Sequence, residues 1–200
     1  MKKVLHIISS PRTDASVSRK LGNAVVEKIQ EKYPDSIVKE RDLAKDPFPH
    51  LEEKHINSFF TAQEDRSEEQ QLDVALSDAV VAELQEADII VMDTAMYNFS
   101  VPSTLKAYID HATRRGLTFS YTENGPEGLL KNKKMYIAFS GGSIYSEGPF
   151  QVYDFNVPYI KVIFGFFGVT DVTVFRVEGL NVPVVQDTAY QKGIDSIAIA

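Results

Sequence analysis

Apolar residues in this chain form two kinds of run, which alternate along its length. Short unbroken runs of branched side chains predict strands covered on both faces, as in a parallel sheet. Longer stretches in which apolar residues recur every three or four positions predict amphipathic helices. The predicted strands are Lys3–Ile8, Ile37–Asp42, Ile89–Met92, Met135–Phe139 and Asp171–Val177.

Helical periodicity fills most of the intervals between these strands. Five alternations of strand and helix predict a doubly wound α/β domain, with helices on both faces of a five-stranded parallel sheet in the flavodoxin-like order 2-1-3-4-5. We expect residues 1–200 to form this one domain. The predicted helices are Leu21–Ile29, Ile56–Phe60, Leu72–Leu84, Thr104–Arg114, a helix from Pro158 to Gly165 or Gly168, and Ala189–Ala198.

Three of the strands lead into loops that suit one shared ligand. The first loop is rich in hydroxyl groups and precedes a helix, so it either binds phosphate or only caps that helix. The second, Met96–Phe99, surrounds Asn98 with large apolar side chains that either cover a flat ligand or close the sheet as core. The third contains Gly141-Gly142, which permits close backbone approach to a ligand or a simple turn. Because strand ends of open α/β sheets form ligand sites, the three loops together predict FMN, a phosphate joined to a heteroaromatic ring.

The composition excludes several other classes of function. Neither the Walker pattern nor G-x-G-x-x-G follows the first strand, which argues against a nucleotide triphosphatase and an ordinary dinucleotide site. There is no cysteine, so thiol catalysis and thiolate metal sites are excluded, and we expect no metal. The net charge of −7 argues against nucleic acid and anionic membranes as partners. No apolar run is long enough for a transmembrane helix or a signal peptide, so we expect a cytoplasmic protein.

Specific motifs in and beyond these loops resemble one family. They are the run Met96–Phe99, the run Phe119–Leu129 with its TENGPEG sequence, and the loop that begins at Ser9-Ser10. On these residues the chain resembles the FMN-dependent NADH:azoreductases, also called NADH:quinone oxidoreductases, over essentially its whole length. The resemblance implies a homodimer with two active sites at the subunit interface. It also implies one tightly but non-covalently bound FMN per subunit, with NADH as co-substrate.

The resemblance further implies which residues contact the cofactor and the small aromatic substrates. Phe119 and Tyr121, in an extended arm over residues 117–127, would wall the substrate pocket of the partner subunit, and Tyr145 would line the pocket as well. Some relatives have His where this chain has Tyr145, and many differ at Ser140–Ser143. The substrate preference of this chain is therefore not implied by the resemblance. The residues implied for FMN are Ser10, Ser16, Val17, Ser18, Met96, Tyr97, Asn98, Phe99, Ser140, Gly141, Gly142 and Ser143.

The implied reaction needs no catalytic side chain, because the flavin carries the redox chemistry. NADH would reduce the flavin and leave, and a quinone or azo compound would then accept two electrons, which is a ping-pong mechanism. Backbone N–H groups of Gly141 and Gly142 would face the charge that develops on the flavin. We expect the histidines to be structural or surface residues; these are His6, His50, His55 and His111.

Three other functions are compatible with parts of this sequence. A flavodoxin-type electron carrier would share the fold and the acidic charge, but it would not need the arm at 117–127 or a helix that is apolar on all sides. A hydrolase would need a metal cluster or an activated nucleophile, and the sequence contains neither at a recognisable spacing. A protein-binding α/β domain would leave the three ligand-like loops without a purpose.

Overall fold

Five parallel strands and a separate two-stranded hairpin form the sheets of the computed structural model, which describes residues 1–200. The parallel strands are ordered β2-β1-β3-β6-β7, and every neighbouring pair is parallel. Without the hairpin strands this is the order 2-1-3-4-5, so the predicted fold is confirmed. The strands are β1 (Lys3–Ile8), β2 (Ile37–Asp42), β3 (Ile89–Ala95), β4 (Phe119–Thr122), β5 (Gly125–Gly128), β6 (Lys134–Ser140) and β7 (Asp171–Val177).

Six α-helices accompany the sheet, and most lie where the periodicity predicts them. Three helices begin three or four residues earlier than expected, at Val17, Glu53 and Glu68. The helix from Glu68 begins early because Ser67 and Gln70 form a capping box at its start. The last helix lies three residues before its predicted position, because the apolar Ile197 belongs to the tail that follows it and still packs against the core. The helices are α1 (Val17–Lys32), α2 (Glu53–Phe60), α3 (Glu68–Glu86), α4 (Ser103–Ala112), α5 (Val157–Phe167) and α6 (Gln186–Asp195).

Both faces of the sheet are covered by helices, and each face has its own core. Alternate residues of β1 enter different cores, with Leu5 and Ile7 on one face and Val4 on the other. Buried residues of α3, α4 and α5 complete the first core, and those of α1 and α6 complete the second. Two-sided burial explains why the central strands are unbroken apolar runs rather than alternating ones.

The predicted arm is a β4–β5 hairpin that packs on the end of α5. Gly168 ends α5 with a φ of +102°, a conformation that favours glycine. Gly128 of β5 lies so close to the Gly168 backbone that a Cβ atom there would overlap it. The Leu130 N–H also donates to the Phe167 carbonyl at 2.8 Å. The hairpin is therefore fixed at its base, while Tyr121 near its tip is 63% exposed.

Helix α1 crosses β3 at an unusually short distance, and Gly22 makes this possible. A Cβ atom at Gly22 would overlap the carboxylate of Asp93, which is fully buried at the end of β3. A larger residue would therefore push the helix away from the sheet or displace the carboxylate.

We predict that Gly22→Ala lowers the free energy of unfolding by about 1–3 kcal/mol, because the added methyl group overlaps Asp93. The loss runs against helix propensity, which favours Ala over Gly. Urea unfolding of the purified protein measures it. The matched control is Asn23→Ala at the next, exposed position of α1, which should raise stability by up to about 0.7 kcal/mol. A stable Gly22→Ala variant would contradict the close crossing.

Candidate active site

The three candidate loops meet at one edge of the sheet. Strands β1, β3 and β6 are neighbours, and their registers pair Ile8 with Asp93 and Ala95 with Ser140, so all three strands end together. A cavity of about 430 Å³ opens there, within the range of about 300–1,000 Å³ that is typical of ligand pockets. Its lining residues are Ser10, Arg12, Ala15, Ser16, Val17, Ala95, Met96, Tyr97, Ser140, Gly141, Gly142, Leu180 and Asn181.

The first loop reaches this cavity at the beginning of α1. The Ser16 hydroxyl caps the helix by accepting from the Arg19 N–H at 3.2 Å, and it lies 3.3 Å from the Ser18 hydroxyl. The capping interpretation is therefore correct for Ser16, and it does not exclude ligand binding. Val17 and Ser18 belong to the first turn of the helix, where the N–H groups have no acceptor within the helix itself. Together with the helix dipole they make a site that favours an anion.

The arginine on α1 is engaged within the chain rather than free for a ligand. Arg19 donates to Asp42 at 2.7 and 3.3 Å and to the Ser10 carbonyl at 3.4 Å. Burial opposes ionisation of Asp42, but bonds from Arg19 and from the Ala44 N–H outweigh it and lower the pKa of Asp42. Arg19 thus ties the first loop to the end of β2. The free cation at the cavity is Arg12, which is exposed.

The second candidate loop, called here the aromatic loop (residues 96–102), is a tight turn. Tyr97 and Ser100 exchange two backbone hydrogen bonds of 3.0 and 2.9 Å. At the tip Asn98 and Phe99 have φ of +48° and +68°, a left-handed conformation that Asn tolerates and that is uncommon for Phe. Such backbone persists only where its surroundings hold it in place, and it is concentrated at functional sites.

The aromatic loop does not place all of its predicted contacts on the cavity. Met96 and Tyr97 line it, whereas Asn98 lines a second cavity of about 930 Å³ and is exposed. Phe99 is 46% exposed and stacks against Tyr153 at 5.3 Å. Within one chain the turn projects its tip outward, so Asn98 does not line the cavity at the strand ends.

The third candidate loop, the glycine loop (residues 141–149), supplies one free backbone donor where two were expected. The Gly141 N–H donates to the Val177 carbonyl at 2.9 Å, which extends the β6–β7 ladder by one residue. It is therefore not available to a ligand, and this expectation for Gly141 is wrong. The Gly142 N–H has no acceptor in the chain. Ser143 lies outside the cavity lining and accepts from the Gly179 N–H through its carbonyl.

Close packing explains why both residues of this pair are glycines. A Cβ atom at Gly141 would lie 3.0–3.1 Å from the rings of Tyr145 and Phe139. A Cβ atom at Gly142 would lie 2.6 Å from the Asn181 side-chain amide. The turn interpretation and the ligand interpretation are thus compatible, since the same small residues serve packing and leave the cavity open.

The residues expected at the substrate pocket lie away from the cavity within one chain. Tyr145 is 7% exposed and packs edge-on against Phe139 and Phe150. Phe119 is buried against Phe166, with ring centroids 4.5 Å apart, whereas Tyr121 is exposed. Tyr145 therefore packs beside Gly141 within the glycine loop, and Tyr121 is the only one of these three residues whose ring is exposed.

Arg12, Leu180 and Asn181 line the cavity although the sequence did not indicate them. Leu180 and Asn181 follow the last strand of the sheet and donate backbone N–H groups to the carbonyls of Gly141 and Gly142. Their segment contains no motif, so its only signal was that it follows a strand of the parallel sheet.

A buried pair of hydrogen-bonded side chains, one from β1 and one from β3, lies near the start of the first loop. His6 Nε2 is 2.9 Å from Asp93 Oδ1, both side chains are almost fully buried, and the second carboxylate oxygen of Asp93 has no partner. Burial raises the pKa of Asp93 to about 6, although His6 and Arg19 oppose the shift and Asp42 adds to it. Of the other histidines, His55 and His111 pack together near Phe48, and His50 is exposed. No histidine lines the cavity.

Comparison with known proteins agrees with this geometry. The family model described as flavodoxin-like fold matches residues 2–198. Over 90% of its length the chain is 48% identical to an FMN-dependent NADH:quinone oxidoreductase of Herminiimonas arsenicoxydans, covering 88% of that protein. The chain belongs to the flavodoxin-like family that includes these reductases.

Two solved structures of the family resemble the chain over nearly all of its length. An azoreductase from Bacillus anthracis str. Sterne matches with a TM-score of 0.91 and 34% identity, covering 98% of this chain and 96% of that one. An FMN-dependent NADH-azoreductase from Bacillus anthracis str. Ames Ancestor, in complex with FMN, matches with a TM-score of 0.86 and 26% identity, covering 98% and 97%.

The fold lacks a membrane-spanning helix and a cluster of metal-ligating side chains. None of its helices combines the length and the apolar character needed to cross a membrane. No three His, Asp or Glu side chains are grouped so that they could ligate a metal ion.

We predict that Asp93→Asn changes the pH dependence of stability. The folded pKa of about 6 lies above the ordinary value of 3.8, so the stabilising proton is present at low pH and is lost as pH rises through 6. As pH rises from 4 to 6, the free energy of unfolding of the variant should increase relative to that of wild type by up to about 1.4 kcal/mol per pH unit. Urea unfolding at several pH values measures this. The exposed Asp35→Asn should run parallel to wild type, and parallel curves for Asp93→Asn would contradict the assignment.

Proposed function

We propose that this chain is an FMN-dependent oxidoreductase that transfers two electrons from NADH to quinones and azo compounds. The observation that carries the proposal is the convergence of the helix α1 terminus, the aromatic loop and the glycine loop on one cavity. Relatives that share this fold are described as FMN-dependent NADH:quinone oxidoreductases, and one structural neighbour is described as an azoreductase in complex with FMN.

The residues at the cavity fit the chemical parts of FMN. The start of α1 offers hydroxyls and free N–H groups for the phosphate, with Arg12 nearby. Met96 and Tyr97 offer apolar surface for the ring system, and the free Gly142 N–H can donate to its polar edge. We propose one tightly but non-covalently bound FMN per subunit, with residues 1–200 acting as a single FMN-binding domain. Further proposed FMN contacts are Ser10, Ser18, Asn98, Phe99, Ser140, Gly141 and Ser143, with Gly141 contributing groups other than its engaged N–H.

When bound, FMN would supply the hydride and electron transfer that the side chains here cannot perform. The role of the chain is then to bind, orient and screen. The α1 terminus would hold the phosphate, and Met96 and Tyr97 would exclude water from the ring system. The Gly142 N–H would donate to negative charge that develops on the bound group, and such a donor acts most strongly in a dry site. No protein acid or base is required, because solvent can supply the protons.

We also propose a homodimer with the active sites at its interface. Large apolar side chains around the second cavity are exposed, including Phe155 at 59% and Val162 at 72%. Exposed apolar surface of this kind is typical of interfaces. A second copy packed there would cover α5 and let the β4–β5 hairpin, with Tyr121, close the neighbouring site over a small aromatic substrate. We further propose that the enzyme is cytoplasmic, since its proposed electron donor is NADH.

A non-enzymatic electron carrier is the alternative that shares the fold. The exposed hairpin and the apolar surface of α5 favour a dimeric enzyme, and the relatives reported above are named as reductases. A carrier would bind FMN but turn over little NADH.

We predict that the purified protein binds FMN at one equivalent per chain and that NADH bleaches the bound flavin without an acceptor. Addition of a quinone should restore the colour.

Initial rates at several fixed NADH concentrations should give parallel double-reciprocal lines, since one pocket serves both substrates in turn. Intersecting lines would exclude the ping-pong mechanism. Absence of bleaching would exclude the reductase, and FMN binding without turnover would support the carrier.

We predict that Ser16→Asp separates helix capping from phosphate binding. Asp caps a helix about as well as Ser, so apoprotein stability should change by no more than about 0.5 kcal/mol. The added negative charge should weaken FMN binding by about 1–3 kcal/mol, or about 5- to 150-fold. Riboflavin, which lacks the phosphate, provides the control, and its affinity should hardly change. Equal losses for both ligands would place the phosphate elsewhere.

A further inference from the structure

We infer that Arg176, near the end of β7, is a positioning residue that joins the glycine loop to the aromatic loop, an inference that rests on the proposed function. Arg176 belongs to no sequence motif and does not line the cavity. Its side chain contacts neither loop directly. It acts through two carboxylates, Glu178 and Asp154, each of which holds one end of the connection.

Glu178 holds the glycine loop. Its Oε1 atom accepts from the Tyr145 N–H at 3.1 Å, and its Oε2 atom accepts from the Ser146 N–H at 3.3 Å and from the Ser146 hydroxyl. Arg176 Nη1 donates to the same carboxylate at 2.8 Å. Since Tyr145 packs where a Gly141 side chain would lie, Glu178 fixes the backbone that carries the free Gly142 N–H.

Asp154 holds the segment that closes the aromatic loop. Arg176 Nη2 donates to Asp154 Oδ2 at 3.1 Å, while Asp154 Oδ1 accepts from the N–H groups of Asn156 and Val157, both at 3.1 Å. The carboxylate therefore sets the path of the chain into α5. Its side chain is 5% exposed, so its charge depends on the guanidinium for compensation.

Asn156 then completes the path to the aromatic loop. It is fully buried, and its amide donates to the carbonyls of Ala95 at 3.2 Å and Ser100 at 3.0 Å. The neighbouring Phe155 N–H donates to the Phe99 carbonyl at 3.0 Å. These bonds hold both sides of the turn whose tip is left-handed, and so they hold Met96 and Tyr97 at the cavity.

The chemistry of arginine explains why one side chain can do this. Its planar fork donates in two directions at once, which a lysine ammonium on a flexible stem does not reproduce. The guanidinium also lies 4.9 Å from the centre of the Phe139 ring, a cation–π contact that fixes its plane. Removal of the cation would leave two nearly buried carboxylates unpaired, and the two loops would no longer be held at one separation.

The test compares Arg176→Met with a matched buried arginine. Arg114 is 2% exposed and pairs with Ser77 and Asp78, in contact with neither loop, so Arg114→Met reports general loss of stability. Arg176→Met should weaken FMN binding by 10-fold or more, lower kcat at saturating FMN and change the circular dichroism of the bound flavin. Arg114→Met should leave all three near wild type. Arg176→Lys serves if the Met variant does not fold, and it should restore stability more than FMN affinity.

Amide hydrogen exchange on the apoprotein gives a second readout that needs no cofactor. In Arg176→Met the N–H groups of Tyr145 and Ser146 in one loop, and of Tyr97 and Ser100 in the other, should exchange faster together. Faster exchange in only one loop, or none relative to Arg114→Met, would overturn the inference. If wild type bound no FMN, the proposed function would fall, while the exchange result would still decide whether Arg176 joins the loops.

Discussion

Parallel pairing of β1, β3 and β6 is the constraint on which the rest of this molecule depends. In a parallel sheet, neighbouring strands run in the same direction, so the loops that follow them emerge at one edge. Three loops that are about 45–90 residues apart in sequence therefore share one cavity. Burial of the strands on both faces keeps this register fixed, because a slip of one residue would turn Leu5 and Ile7 to the opposite core.

Buried polar side chains connect the sheet to the loops through hydrogen bonds. Asp93 and Asn156 are completely buried, yet each is bonded to a neighbouring segment rather than to solvent. Buried polar groups of this kind specify one arrangement because any other leaves them unpaired. The apolar cores supply most of the stability, and these few bonds decide which backbone atoms face the cavity.

Much of the fold followed from local patterns in the sequence. The strand order, the two covered faces and the hairpin follow from apolar periodicity, because burial on a fixed geometry leaves a repeat in the chain. The three loops were also recognisable, since hydroxyls, aromatic residues and glycines stood directly after strands. The pattern did not show which way individual groups in the loops point. The Gly141 N–H donates to the Val177 carbonyl, and Asn98 points outward, because of the way each loop folds back on its neighbours. Asn181 and Arg176 were not predicted because each makes a contact that joins segments far apart in the sequence: Asn181 donates to the Gly142 carbonyl, and Arg176 donates to Asp154.

One residue of the aromatic loop, Tyr97, lines two cavities. Tyr97 lines the 430 Å³ cavity at the strand ends and also the 930 Å³ cavity beside α5. Because Tyr97 contributes to both linings, a rotation of its side chain would change the shape of both cavities at once. A molecule at the strand ends that displaced Tyr97 would therefore also alter the space beside α5.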